Sequence, residues 1–131
     1  MNIGKDNRKF DLVKRLNSFP PAFRGIKELF LNEHNSRIHL FTTIVVLLLG
    51  LVFRIDLYKW IAVIFSIGLV FTTELINSAI EKTVDLLSPE YNKKAGLIKD
   101  FAAGAVLFAS MMAVIVGLIV FIPEFLQLIR K

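Results

Sequence analysis

From Phe101 to Ile122 the chain runs for 22 residues without a charged side chain. At about 1.5 Å per residue, a helix of that length crosses the roughly 30 Å hydrocarbon core of a bilayer. Two shorter apolar runs precede it, Ile38 to Phe53, broken by His39 and the Thr42-Thr43 pair, and Trp60 to Thr73. With their flanks both are long enough to span as well. A helix of a soluble bundle would carry a charged face, and none of these runs has one. Composition agrees: 55% of the 131 residues are hydrophobic, which excludes disorder, and with no cysteine the chain cannot be a disulfide scaffold. The sequence therefore predicts an all-α integral membrane protein of one domain, residues 1–131. Its spans are expected at about 37–55, 57–87 (with a cytoplasmic extension) and 99–123. Arg37, Arg54 and Lys59 flank the spans and are expected to snorkel toward the interface.

The net charge of +5 invites a nucleic-acid reading, but the basic residues are sorted by topology. Residues 1–37 hold eight Lys or Arg, and Lys82, Lys93, Lys94 and Lys99 lie between the second and third spans, so 12 of the 16 fall on one side. The positive-inside rule makes that side cytoplasmic and places the C-terminus outside. Most of the 12 Phe lie in or beside the apolar runs, not in a basic groove where bases could stack. The first apolar run starts too late for a cleaved signal peptide, so the N-terminus is expected to stay. Residues 1–36 read as two short amphipathic helices around Pro20-Pro21. The first carries Phe10, Val13 and Leu16, and the second Phe23, Ile26 and Phe30. Such helices lie in the membrane interface, either as a simple anchor or as the wall of a lipid site.

Beyond Thr73 the second span turns polar on one face. Glu74, Asn77, Ser78, Glu81 and Asp85 fall within an arc of about 100° on a helix, while Leu75, Ile76, Ala79 and Ile80 keep other faces apolar. A solvated helix end explains Asp85 alone. It does not explain Glu74, where an unpaired charge near membrane depth costs about 2.5 kcal/mol or more. Carboxylates with an amide and a hydroxyl supply hard oxygen ligands for Mg²⁺, and a spare carboxylate can act as general base. Glu33 at the mouth of the first span and Lys99-Asp100 at the start of the third converge on the same interface. These are the parts that phosphoryl transfer to a lipid hydroxyl needs, yet the chain contains no Walker A or protein-kinase motif. His34 and His39, without a cysteine, do not make a zinc site and read as interfacial histidines. In the third span Ala105, Ala109, Ala113 and Gly117 form a stripe on which another helix can pack closely, from this chain or another subunit.

The run Glu74-Leu-Ile-Asn77-Ser-Ala-Ile-Glu81-Lys-Thr-Val-Asp85, followed by Lys99-Asp100-Phe-Ala-Ala-Gly-Ala-Val, resembles the signature of the prokaryotic diacylglycerol kinase family. The resemblance extends from about Lys14 to Pro123, and the stretch from Glu33 to His39 is more similar to the Gram-positive, undecaprenol kinase branch. It implies a bacterial plasma-membrane lipid kinase, a homotrimer with active sites shared between subunits, using ATP and Mg²⁺. By the same resemblance Glu74 is the base that deprotonates the lipid hydroxyl, with Asn77 beside it in the catalytic and nucleotide site. Glu33 and Glu81 bind the Mg²⁺ that bridges the ATP phosphates. Asp85 contacts the adenosine part, Lys99 with Asp100 neutralises phosphate charge, and Gly96 and Lys14 lie near the nucleotide. The acceptor is undecaprenol, or alternatively diacylglycerol. Two other classes stay open on the residues alone: a small transporter subunit, and a non-catalytic membrane scaffold for which Glu74→Gln is silent.

Overall fold

The structure, a computed structural model, describes residues 17, 19–90 and 92–130. The expected surface piece with Phe10, Val13 and Leu16, and Lys14 within it, lies outside the described residues. Four helices follow in order: α1 Phe19–Asn32, α2 His34–Phe53, α3 Leu57–Leu87 and α4 Lys93–Ile129. The last three are long and apolar enough to cross a membrane. Pro20 and Pro21 sit in the first turn of α1, where the missing N–H groups would have had no helical partner.

One residue, Glu33, separates α1 from α2 and is extended, with φ −97° and ψ 118°. The Arg37 side chain folds back onto the end of α1, donating from Nε to the Phe30 carbonyl at 3.1 Å and from Nη2 to that of Leu31. Those are carbonyls that a helix end leaves without partners. Arg37 thus caps α1. Leu29 is buried, and Phe30 meets Phe71 of α3 edge to face at 5.4 Å, which seats α1 on α3.

The α2–α3 joint is equally tight. Arg54 adopts the left-handed conformation (φ 52°, ψ 45°). Its N–H bonds to Leu51 O and that of Ile55 to Gly50 O, both at 3.2 Å, closing α2 with a Schellman-type cap. Asp56 then caps α3, accepting from the backbone N–H of Tyr58 at 3.0 Å and of Lys59 at 3.1 Å. The Lys59 N–H, aided by its ammonium group, holds the Asp56 carboxyl below its ordinary value. Trp60 lies so close over α2 that a Cβ on Gly50 would stand 2.7 Å from its ring.

Helices α3 and α4 pair most extensively. At one end Ile55, Val63 and Val120 form a core with Trp60, Ile67 and Phe121 around it. There too Lys59 Nζ lies 2.6 Å from Glu124 and 3.3 Å from Asp56. Lys59 therefore pairs within the protein. Pro123 lies inside α4, which continues to Ile129, and Phe53 packs against Phe125 at 5.1 Å. Membrane helices tolerate such a proline where neighbours support the freed backbone. The small-residue stripe divides: Ala109 is buried against α3 while Ala105 is exposed. A spacing of four residues advances about 40° per step, so a strict stripe drifts from the inner face to the outer one.

Candidate functional site

On α3 the polar face changes character along its length. Glu74 (2% exposed) and Ser78 (6%) are buried, Asn77 and Glu81 are half-buried, and Asp85 is exposed. Asn77 Nδ2 donates to Glu81 Oε1 at 3.1 Å, while its own Oδ1 is buried and without a partner. The Glu74 Oε1 and Ser78 Oγ atoms are likewise buried and unpartnered, as is Ser36 Oγ in the first turn of α2. Buried polar atoms are ordinarily hydrogen-bonded, so each of these can take a partner from outside the chain, water included.

Glu33, at the joint between α1 and α2, is within 3.5 Å of Lys82 on α3. Glu33 thus lies across from α3 on the side that carries the polar face, where Glu74 and Glu81 follow one another two turns apart. Among the described residues no three carboxylate or imidazole groups enclose an ion tightly. The donor set nevertheless suits Mg²⁺, which takes one or two protein carboxylates and completes its shell with water and phosphate oxygens. The free Asn77 Oδ1 beside Glu81 adds a further hard oxygen.

The remaining expected residues fall into two places. Lys99 Nζ reaches Asp85 Oδ1 at 2.9 Å, joining α4 to α3 at the outer end of the polar face. Asp100 turns away and lines a groove at the start of α4 with Asn92, Lys93, Lys94 and Gly96. Around Gly96 there is open space, with nothing within 4 Å of an added Cβ. The structure thus brings Glu33, Glu74, Asn77 and Glu81 together and sets Gly96 and Asp100 apart at the base of α4.

Sequence reasoning missed His39. Its Nε2 stands 3.2 Å from Glu74 Oε1, within ion-pair reach yet off the direction of a hydrogen bond. It also lines a cleft of about 360 Å³ between α2, α3 and α4, with Thr43, Ser66, Val70, Ser110 and Gly117 among its walls. The signal was available: His39 is the one ionisable residue inside the first apolar run, and such residues usually face a partner.

The cleft is apolar and lies between helices long enough to cross a membrane, and one of its lining residues, His39, stands beside the buried Glu74. Comparison with known proteins makes the class a membrane lipid kinase, a phosphotransferase. Residues 21–121 match the family model described as prokaryotic diacylglycerol kinase, and the chain belongs to that family. It is similar to an undecaprenol kinase of Bacillus subtilis (strain 168), 37% identical over 120 residues that cover 92% of this chain and 97% of that protein. It also resembles a diacylglycerol kinase of Synechocystis, 37% identical over 85% of this chain and 64% of that protein. The diacylglycerol kinase of Escherichia coli K12 is 31% identical over 72% of this chain and 77% of its own length. Membership of a kinase family implies ATP as phosphate donor.

Proposed function

We propose that the protein phosphorylates undecaprenol, transferring the γ-phosphate of ATP to its primary hydroxyl in a Mg²⁺-dependent reaction. The observation that carries the reading is the cleft of about 360 Å³, which runs between the apolar helices and meets buried Glu74 through His39. A lipid lying there presents its hydroxyl to the carboxylate. Glu74 accepts the hydroxyl proton as the oxygen attacks the γ-phosphorus; the bond to ADP breaks, and the products are the lipid phosphate and ADP. Glu33 and Glu81 would hold Mg²⁺, which when bound neutralises the developing phosphate charge. Asn77 holds Glu81 in place and offers its free Oδ1 toward the same region. Asp85 would face the nucleotide, and Lys99, which is paired with Asp85, would set its charge beside the phosphates. Gly96 and Asp100 would border the nucleotide from the base of α4, and the family resemblance adds Lys14 as a nucleotide contact.

The reading places the protein in the bacterial plasma membrane. The N-terminus and site are cytoplasmic and α1 lies on the membrane surface, where exposed Phe23 and Ile26 enter the interface. The 17 helical steps from Leu57 to Glu74 rise about 26 Å, which puts the carboxylate near the inner edge of the hydrocarbon. The chain assembles as a trimer with shared sites; the exposed groove of Thr73, Ile76, Asn77 and Ala105 is where a neighbouring subunit closes the site. Undecaprenol is favoured over diacylglycerol because the similarity to the B. subtilis enzyme runs the length of both chains. The equal identity to the Synechocystis diacylglycerol kinase supports diacylglycerol as the second reading. The test is phosphate transfer from labelled MgATP in mixed micelles, with undecaprenol and diacylglycerol offered separately and in competition. Preferential labelling of undecaprenol is expected. Preference for diacylglycerol overturns the substrate assignment, and labelling of neither overturns the kinase reading.

A further inference from the structure

Glu74 is buried at membrane depth, and among the described residues His39 is the basic side chain within ion-pair reach of it. The helices that bear them are thereby tied at the polar end of the cleft, and the imidazole is itself part of the cleft wall. A general base needs its carboxylate oriented and its lone pair free. A lysine or arginine in this position would orient the group but also hold its charge so firmly that it would accept a proton poorly. A neutral imidazole donates one hydrogen bond without a full charge, and on the first third of a membrane helix it costs far less to bury than an ammonium or guanidinium group. The two atoms stand 3.2 Å apart, so a small rotation of the imidazole brings the N–H into line with the carboxylate oxygen.

We propose that His39 is a positioning residue for catalysis: its Nε2–H holds one oxygen of Glu74 so that the other faces the acceptor hydroxyl at the head of the cleft. The proposal rests on Glu74 being the base. The contacting atom is specific, and this gives the test a geometric handle. Glutamine can place an N–H near the position of Nε2, whereas asparagine, one carbon shorter, reaches only as far as Nδ1.

The experiment compares H39L, H39Q, H39N and E74Q with the unaltered protein in mixed micelles, measuring kcat and the KM for lipid and for ATP separately. Misplacement of a catalytic group by about 1 Å can cost about 10²-fold. H39L is therefore expected to lose about 10- to 100-fold in kcat with both KM values nearly unchanged, H39Q to recover most of that loss, and H39N to recover little. Unchanged kcat in H39L overturns the proposal, as does a loss that appears only in the lipid KM or one that Gln and Asn restore equally. Should H39L fail to insert, the ratio of H39Q to H39N decides in the same way. An active E74Q defeats the base assignment itself. An inactive E74Q beside a normal H39L defeats the role of His39 alone.

Discussion

Glu74 combines burial with an oxygen that has no hydrogen-bond partner, and both follow from its place one residue beyond an apolar run on a helix that packs on two sides. If it is the base, Glu74→Gln keeps the shape and the burial but removes the proton acceptor. Turnover is expected to fall by about 10² to 10⁴-fold with ATP binding and assembly retained; normal turnover would remove Glu74 from the chemistry. Glu81→Ala removes a hard oxygen ligand and leaves the Asn77 amide without its acceptor, so the Mg²⁺ concentration for half-maximal activity should rise. An unchanged Mg²⁺ titration takes Glu81 out of the metal shell. Gly96→Ala meets nothing in the chain, so it should leave thermal stability unaltered while raising the KM for ATP. A KM equal to that of the parent means the nucleotide does not come near. Glu74 was conspicuous in the sequence because a carboxylate next to a long apolar run is costly there. The partner of Glu74 was not, since His39 lies 35 positions earlier and only the packing of α2 on α3 brings the two together.

At the scale of elements, the helices follow from uncharged length, and their ends from local chemistry. Asp56 ahead of Leu57 and Asn92 ahead of Lys93 each accept a backbone N–H of the following turn, as short polar side chains do at helix starts. What the sequence hid is the use made of the flanking charges. Arg37, Lys59 and Asp85 look alike in a pattern of polar residues at span ends, yet one caps α1, one ties α3 to Glu124 and one reaches Lys99. Those pairings depend on crossing geometry, which hydropathy does not encode. The same geometry makes Gly50 irreplaceable: a methyl group there would push into the Trp60 ring. Gly50→Ala is expected to cost about 1 to 3 kcal/mol, read as an earlier unfolding midpoint in detergent. An unshifted midpoint would mean that the indole swings aside freely.

The molecule as a whole leaves large apolar side chains outside. Phe41, Val52, Phe65 and Phe108 are each at least 68% exposed in the single chain, and they suit lipid or a neighbouring subunit but not water. Its orientation can be read directly, because the chain has no cysteine of its own. In intact cells a membrane-impermeant maleimide should label Tyr58→Cys, at the α2–α3 joint, and should reach Glu90→Cys, between α3 and α4, only after permeabilisation. The reverse pattern would invert the topology. The joint at Glu33 sets how α1 and the three longer helices move together. Two torsions of a single residue must absorb every change of angle between α1 and α2, and the carboxylate proposed to grip the metal hangs from that same α-carbon. If α1 lies on the membrane surface as proposed, a shift in its depth among the headgroups would also displace that carboxylate, and the enzyme would sense the texture of the membrane whose lipid it modifies.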